Sequence, residues 1–154
     1  MPPGETVHAS VVRIGRFGVL IRGASGSGKS SLLLSLLTDA PGAMLVADDR
    51  AALRVEAGGL VASVPEAIAG QMEIRGIGIV RRAYVSEAAV SLVVDLLPLA
   101  ECPRLPTPEE RCAVLSGIAL PRIFIASGAP DGAARVRAAI DHLATGIYDE
   151  AVGK

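Results

Sequence analysis

Short apolar runs separated by Gly, Pro and acidic residues dominate this chain, and only two stretches carry a helical period. Residues 6–14 and 17–22 flank the Gly15-Arg16 turn and predict an antiparallel hairpin. Residues 30–39 read as a helix stopped by Pro41-Gly42. The wholly apolar run 43–47 predicts a buried strand ending at Asp48-Asp49, with its C-terminal edge facing the segment before the helix. Residues 51–56 and 60–64, joined by Ala57-Gly58-Gly59, predict a second hairpin. Between 71–75 and 77–80, Gly76 and Gly78 imply a bent strand, or a loop whose backbone approaches a ligand. Residues 90–97 are the strongest buried strand, and the four prolines of 98–108 make an exposed connector or lid. Late strands are expected at 111–115 and 122–126. Asp131 then caps a helix over 132–145, with Ala134, Val136, Ala138, Ile140 and Leu143 on its apolar face. So many strands with so few helices predict an α/β fold built on a mixed sheet rather than a plain βαβ repeat.

Composition narrows the class of protein. With 154 residues, 51% of them hydrophobic, the chain can close one core, and a single domain over 1–154 is expected. A formal net charge of −1 speaks against nucleic acid or a polybasic membrane surface as partner. Ser91, Asp95 and Pro98 break the longest apolar stretch before membrane length, and Met1 to Glu5 lack the pattern of a signal peptide, so a soluble cytoplasmic protein is expected. Cys102 and Cys112 have neither zinc-ligand spacing nor a disulfide framework and read as ordinary thiols. The apolar surplus favours an oligomer.

The candidate chemistry begins at Gly23-Ala24-Ser25-Gly26-Ser27-Gly28-Lys29-Ser30, a complete Walker A sequence between an apolar run and a helix. Its glycines let successive N–H groups converge on one anion, reinforced by the positive end of the following helix. Lys29 then reaches the β- and γ-phosphates of ATP, and the Ser30 hydroxyl ligates Mg²⁺. The only other lysine is Lys154; every remaining cationic side chain of this type is arginine, so a compact ammonium is reserved for the loop. Asp48-Asp49 stands where such proteins put the acid that organises Mg²⁺ or its water. Neighbours on a strand face opposite ways, so only one of the two reaches the γ-phosphate unless the strand ends first. Asp95 is a rival acid, or else an ordinary strand-end residue. Glu73 and Arg75, two apart, share a strand face and suit metal contact and charge stabilisation, or a cross-strand ion pair. His8 is placed to relay protons or steady a metal-bound water, or is a half-buried strand histidine. His142 reads as a surface cation near a helix C-terminus.

Together, Val7-His8-Ala9, the 23–30 loop, Leu45-Val46-Ala47-Asp48-Asp49-Arg50 and Glu73-Ile74-Arg75-Gly76-Ile77-Gly78-Ile79 resemble the C-terminal catalytic domain of bacterial HPr kinase/phosphorylase. The last stretch resembles the family signature and discriminates far better than the glycine loop. The resemblance implies a phosphoenolpyruvate-carboxykinase-like fold assembled into hexamers. It also implies ATP-dependent phosphorylation of a serine on HPr, the phosphocarrier of the sugar phosphotransferase system, and reverse attack by inorganic phosphate. It places Mg²⁺ on Ser30 and Glu73, the proton acceptor in the Asp48-Asp49 pair with His8 beside it, and a later catalytic arginine at Arg104. The usual N-terminal regulatory domain is expected to be absent, as in the short forms. Residues 125–131 lack the arginine-rich segment that longer members use for phosphorolysis, so weak reverse activity is expected. A small-metabolite kinase with the proline-rich segment as lid, and a non-catalytic nucleotide sensor, are the alternatives.

Overall fold

The computed structural model describes residues 5–145; the ends of the expected 1–154 domain, with the stretch before Glu5 and Lys154, lie outside the described residues. The strands are β1 (Glu5–Val7), β2 (Ala9–Ile14), β3 (Phe17–Arg22), β4 (Ala43–Ala47), β5 (Ala51–Glu56), β6 (Gly59–Ser63), β7 (Gln71–Ile74), β8 (Gly78–Arg81), β9 (Glu87–Leu97), β10 (Cys112–Leu115) and β11 (Ile118–Ala126). Two α-helices accompany them, α1 (Lys29–Asp39) and α2 (Gly132–Thr145). The main sheet follows the order β1-β5-β6-β9-β3-β2-β4, with β11 also on β9 and β10 on β11. The β3–β9 and β9–β11 pairs are parallel and the others antiparallel, so the expected mixed sheet with few helices is what forms.

The first predicted strand is two strands. It breaks at His8, where β1 leaves to pair with β5 while β2 pairs with β3 and β4. Because β1 and β2 lie near opposite ends of the strand order, this one-residue joint curls the sheet upon itself. The curl encloses a core made by strands alone, including Ala9, Val11, Leu20, Val46, Leu53 and Leu60. The other face carries Val12, Val19, Ile21, Leu92 and Val94 against Leu32, Leu33 and Leu36 of α1 and Val136 and Ile140 of α2.

A bulge makes both cores compatible with one central strand. Gly18 pairs with Val90 and Val19 with Leu92, so Ser91 is the extra residue and the inside-outside alternation of β9 reverses there. Ala88, Val90 and Val93 therefore face the strand-only core, while Leu92, Val94 and Leu96 face the helices. Gly18 permits this approach, since a Cβ there would lie 2.2 Å from the Ala89 carbonyl oxygen. The segment expected to be one bent strand or a loop is instead the β7–β8 hairpin, a separate two-stranded sheet. Met72 anchors it by filling the helix-side core. Asp131 precedes α2 as expected, and its carboxylate accepts from Arg135 Nε at 2.8 Å. That bond holds the Asp131 carboxyl below its usual range.

Candidate active site

The glycine loop leaves β3 at Arg22 and enters α1 at Lys29, one residue before the expected helix start. Gly26 and Gly28 adopt left-handed backbone at φ 79° and 100°, which an L side chain would strain. Gly28 is also the N-cap, with no side-chain cap and no acidic residue in the first turn of α1. The helix's first amides are left for an external anion. Lys29 is 6% exposed, and its Nζ donates to the carbonyls of Gly23 at 2.9 Å and Ala24 at 3.2 Å. The ammonium is thus folded across the loop it belongs to.

Strand β4 ends at Ala47, ahead of both aspartates, so strand alternation does not separate them. Asp48 is buried and joins four segments. Its Oδ1 accepts from Ser30 Oγ at 2.8 Å and from Ser10 Oγ at 3.1 Å, and its Oδ2 accepts from the Glu73 backbone N–H at 3.1 Å. Asp49 turns away in left-handed backbone, φ 71°, with its own N–H donating to Ser10 Oγ at 3.0 Å. Its carboxylate meets His8 Nε2 at 2.5 Å, with both side chains well exposed. His8 occupies the joint between β1 and β2, so the curl of the sheet delivers it there.

A cavity of about 420 Å³ opens between these parts, lined by Ser25, Gly26, Gly28, Lys29 and Ser30 on one side and by His8, Asp49, Glu73 and Arg75 on the other. On β7 Met72 points into the core, so Glu73 points out to the cavity. Arg75 is not on that strand with Glu73, contrary to the shared-face expectation. It lies in the turn closed by the Ile77 N–H to Ile74 carbonyl bond at 2.9 Å, and reaches the cavity from the hairpin tip. Arg104 sits exposed in the connector before β10 and lines no part of this cavity. Asp95 binds Arg22 Nε and Nη2 at 2.8 and 2.9 Å and Arg122 Nη1 at 3.4 Å, which makes it a clamp between β3, β9 and β11. His142 Nδ1 lies 2.7 Å from the Ala138 carbonyl in the last turns of α2, in keeping with its surface role. Ser10, fully buried, is the residue that sequence reasoning passed over. No spacing pointed to it, because the strand breaks at His8 and leaves His8 exposed while Ser10 is buried.

Among the described residues, no group of three or more His, Cys, Asp and Glu side chains is arranged to hold a metal ion. The donors present are one hydroxyl at Ser30 and single carboxylates at Asp48 and Glu73. That set suits a hard cation such as Mg²⁺, which takes one or two carboxylates and completes its shell with phosphate and water. No helix among the described residues is long and apolar enough to cross a membrane.

Comparison with known proteins identifies the family. Residues 1–125 match the family model for the HPr Serine kinase C-terminal domain. The HPr kinase/phosphorylase of Geobacillus thermodenitrificans (strain NG80-2) is 38% identical over 136 residues, covering 81% of this chain and 43% of that protein. The HPr kinase/phosphorylase of Exiguobacterium sibiricum is 43% identical over 104 residues, covering 62% of this chain and 33% of that protein. The chain thus spans well under half the length of these relatives. The solved structure of the Hpr(Ser) kinase/phosphatase from Coxiella burnetii superposes with a TM-score of 0.79 at 29% identity, covering 93% of this chain and 98% of that one. The match runs through the glycine loop, the Asp48-Asp49 strand end and the β7–β8 hairpin alike, and the chain belongs to the HPr serine kinase C-terminal domain family.

Proposed function

We propose that residues 1–154 act as one catalytic domain that transfers the γ-phosphoryl group of ATP to a serine of an HPr-like phosphocarrier of the phosphotransferase system, with Mg²⁺ required. The observation that carries this reading is the His8–Asp49 contact at the mouth of the cavity, facing the glycine loop across it. A sensor needs the loop alone, whereas a kinase also needs a base for the incoming hydroxyl.

The amides of residues 23–30 and Lys29 hold the phosphates of ATP. Ser30 and Glu73, with Asp48 bonded to the Ser30 hydroxyl, are the residues that would hold Mg²⁺, which when bound neutralises phosphate charge. Asp49 accepts the serine proton as the serine oxygen bonds to the γ-phosphorus and the bond to the β-phosphate oxygen breaks, releasing ADP. His8 fixes the Asp49 carboxylate toward the incoming hydroxyl. Arg75, at the hairpin tip, stabilises charge on the transferring group.

An open cavity mouth suits a protein substrate better than an enclosed metabolite, and the exposed Ile77 and Ile79 beside Arg75 offer it apolar contact. We place the protein in the cytoplasm as a homo-oligomer, a hexamer as the family resemblance implies. Exposed Leu99 and Leu105 are in keeping with subunit contacts. In the reverse direction inorganic phosphate attacks phosphoserine to give pyrophosphate. That activity is weak here, because residues 125–131 offer no cation and Arg104 must be brought to the site by movement or by a neighbouring subunit. Mass spectrometry of HPr after incubation with ATP and Mg²⁺ tests the reading. One phosphate on a serine, abolished by chelating the metal, is expected, and unmodified HPr would overturn it.

A further inference from the structure

Asp49 is held in a backbone conformation that its own side chain disfavours. Its φ of 71° is left-handed, and the Arg50 N–H donates back across it to the Asp48 carbonyl at 2.9 Å. A bond spanning three residues around a positive φ belongs to the rarer, strained form of γ-turn. Such strain persists only where the surroundings over-determine it. Among the described residues, the other non-glycine positions with positive φ are Ala57 and Ser116, which sit between the paired strands β5 and β6 and the paired strands β10 and β11. Neither lines the cavity of the candidate site, whereas Asp49 does.

We propose that Ser10 is the positioning residue that locks this turn and so aims the Asp49 carboxylate at the incoming hydroxyl; the inference rests on the kinase reading, in which Asp49 accepts the serine proton. Val11 pairs with Ala47, the last residue of β4, so Ser10 stands beside the point where that strand gives way to the turn. The Ser10 hydroxyl donates its one proton to Asp48 Oδ1 at 3.1 Å and accepts from the Asp49 N–H at 3.0 Å. It therefore grips the side chain of one aspartate and the backbone of the next. Ser10 is fully buried and lines no part of the cavity, so it acts on the reaction only through these two neighbours.

The two neighbours depend on it unequally. Asp48 also accepts from Ser30 Oγ at 2.8 Å and from the Glu73 N–H at 3.1 Å, so its carboxylate stays anchored without Ser10. Asp49 meets His8 through its side chain, in a pair with both members well exposed, and that contact does nothing to fix the backbone of the turn. The hydroxyl is also out of place unless it is used in this way. Ala9, Val11 and Val12 beside it are all buried and apolar, and a buried hydroxyl is costly unless paired. Without it the Asp49 N–H loses its acceptor, the turn relaxes toward ordinary backbone, and the carboxylate swings away from His8. A base displaced by about 1 Å lowers turnover by up to roughly 100-fold.

The test measures phosphorylation of HPr by the whole chain carrying Ser10→Ala, and by Ser10→Cys, which keeps the space filled with a much weaker hydrogen-bonding group, so one failing to fold leaves the other. Each is made alone and together with Asp49→Asn. Alone, turnover should fall by about 10- to 100-fold, with ATP affinity and the Mg²⁺ concentration for half-maximal rate both kept within about threefold. In the Asp49→Asn background the further loss should be under about threefold, because a residue that acts through the base has nothing left to position. Unchanged turnover in a folded variant would overturn the proposal and leave the kinase reading standing. So would an equal loss in both backgrounds, weakened ATP binding, or a loss that appears as a raised Mg²⁺ requirement. If the unmodified chain leaves HPr unphosphorylated, or Asp49→Asn matches its rate, the reading of the site fails and this proposal falls with it.

Discussion

Replacing Gly18 with Ala should destabilise the protein, although the same exchange usually stabilises an extended segment by about 0.4–1 kcal/mol through the unfolded chain. Gly18 has no left-handed backbone to lose, so the effect is steric. The new Cβ would lie 2.2 Å from the Ala89 oxygen, 2.9 Å from its carbonyl carbon and 3.3 Å from Val90 Cα, all backbone atoms of the central strand. Relief requires β3 and β9 to separate by about 1 Å at the bulge, in cores packed like crystals. Overpacking of this kind costs about 1–3 kcal/mol. Gly59→Ala is the control, because its Cβ would meet only the Glu56 oxygen at an ordinary 3.7 Å. Urea denaturation should show Gly18→Ala with a lowered midpoint and unchanged slope, and Gly59→Ala neutral or raised. In thermal melts the loss corresponds to about 2–4 °C per kcal/mol at this chain length. Midpoint shifts of the same sign for both variants would refute the close-approach argument.

Lys29→Ala should reduce phosphoryl transfer by more than about 10²-fold and weaken ATP binding, and Lys29→Arg should not restore it, since a planar guanidinium does not fit where Nζ bonds two loop carbonyls. Full activity of the arginine variant in a steady-state assay would count against the site. Asp49→Asn should lower turnover by about 10²–10⁴-fold with ATP affinity kept, while Asp48→Asn should raise the Mg²⁺ concentration needed for half-maximal rate. Equal and mild effects from the two would contradict their assignment. Pyrophosphate release from phosphoserine-HPr at millimolar phosphate should be slow beside the forward rate and fall further in Arg104→Ala; a matching reverse rate indifferent to Arg104 would exclude both statements.

Local features were the legible ones. The glycine loop is a contiguous motif whose conformation its own residues dictate, and the apolar run 43–47 ends where the turn-forming aspartates begin. Residues 71–80 were readable as unusual but not as a hairpin, because Met72, the residue that pins it, looks like any apolar residue until the core it enters is known. The joint at His8 was hidden for a similar reason. Residues 6–14 pattern as one strand, and only the distant partner β5 pulls β1 away. Nor could strand periodicity assign the two aspartates, since their directions depend on where β4 stops and on a non-glycine residue held at positive φ by Ser10. The bulge at Ser91 lies in the pairing of two strands, not in either alone.

Tracing γ-labelled ATP in a mixture of the protein, Mg²⁺, purified HPr and a small-molecule extract, beside Asp49→Asn, measures the proposed activity most directly. Label should accumulate on a serine of HPr with the unmodified protein and should be lost with Asp49→Asn while nucleotide remains bound. Label on a metabolite, or nucleotide binding with no transfer at all, would contradict the assignment of this site as an HPr serine kinase.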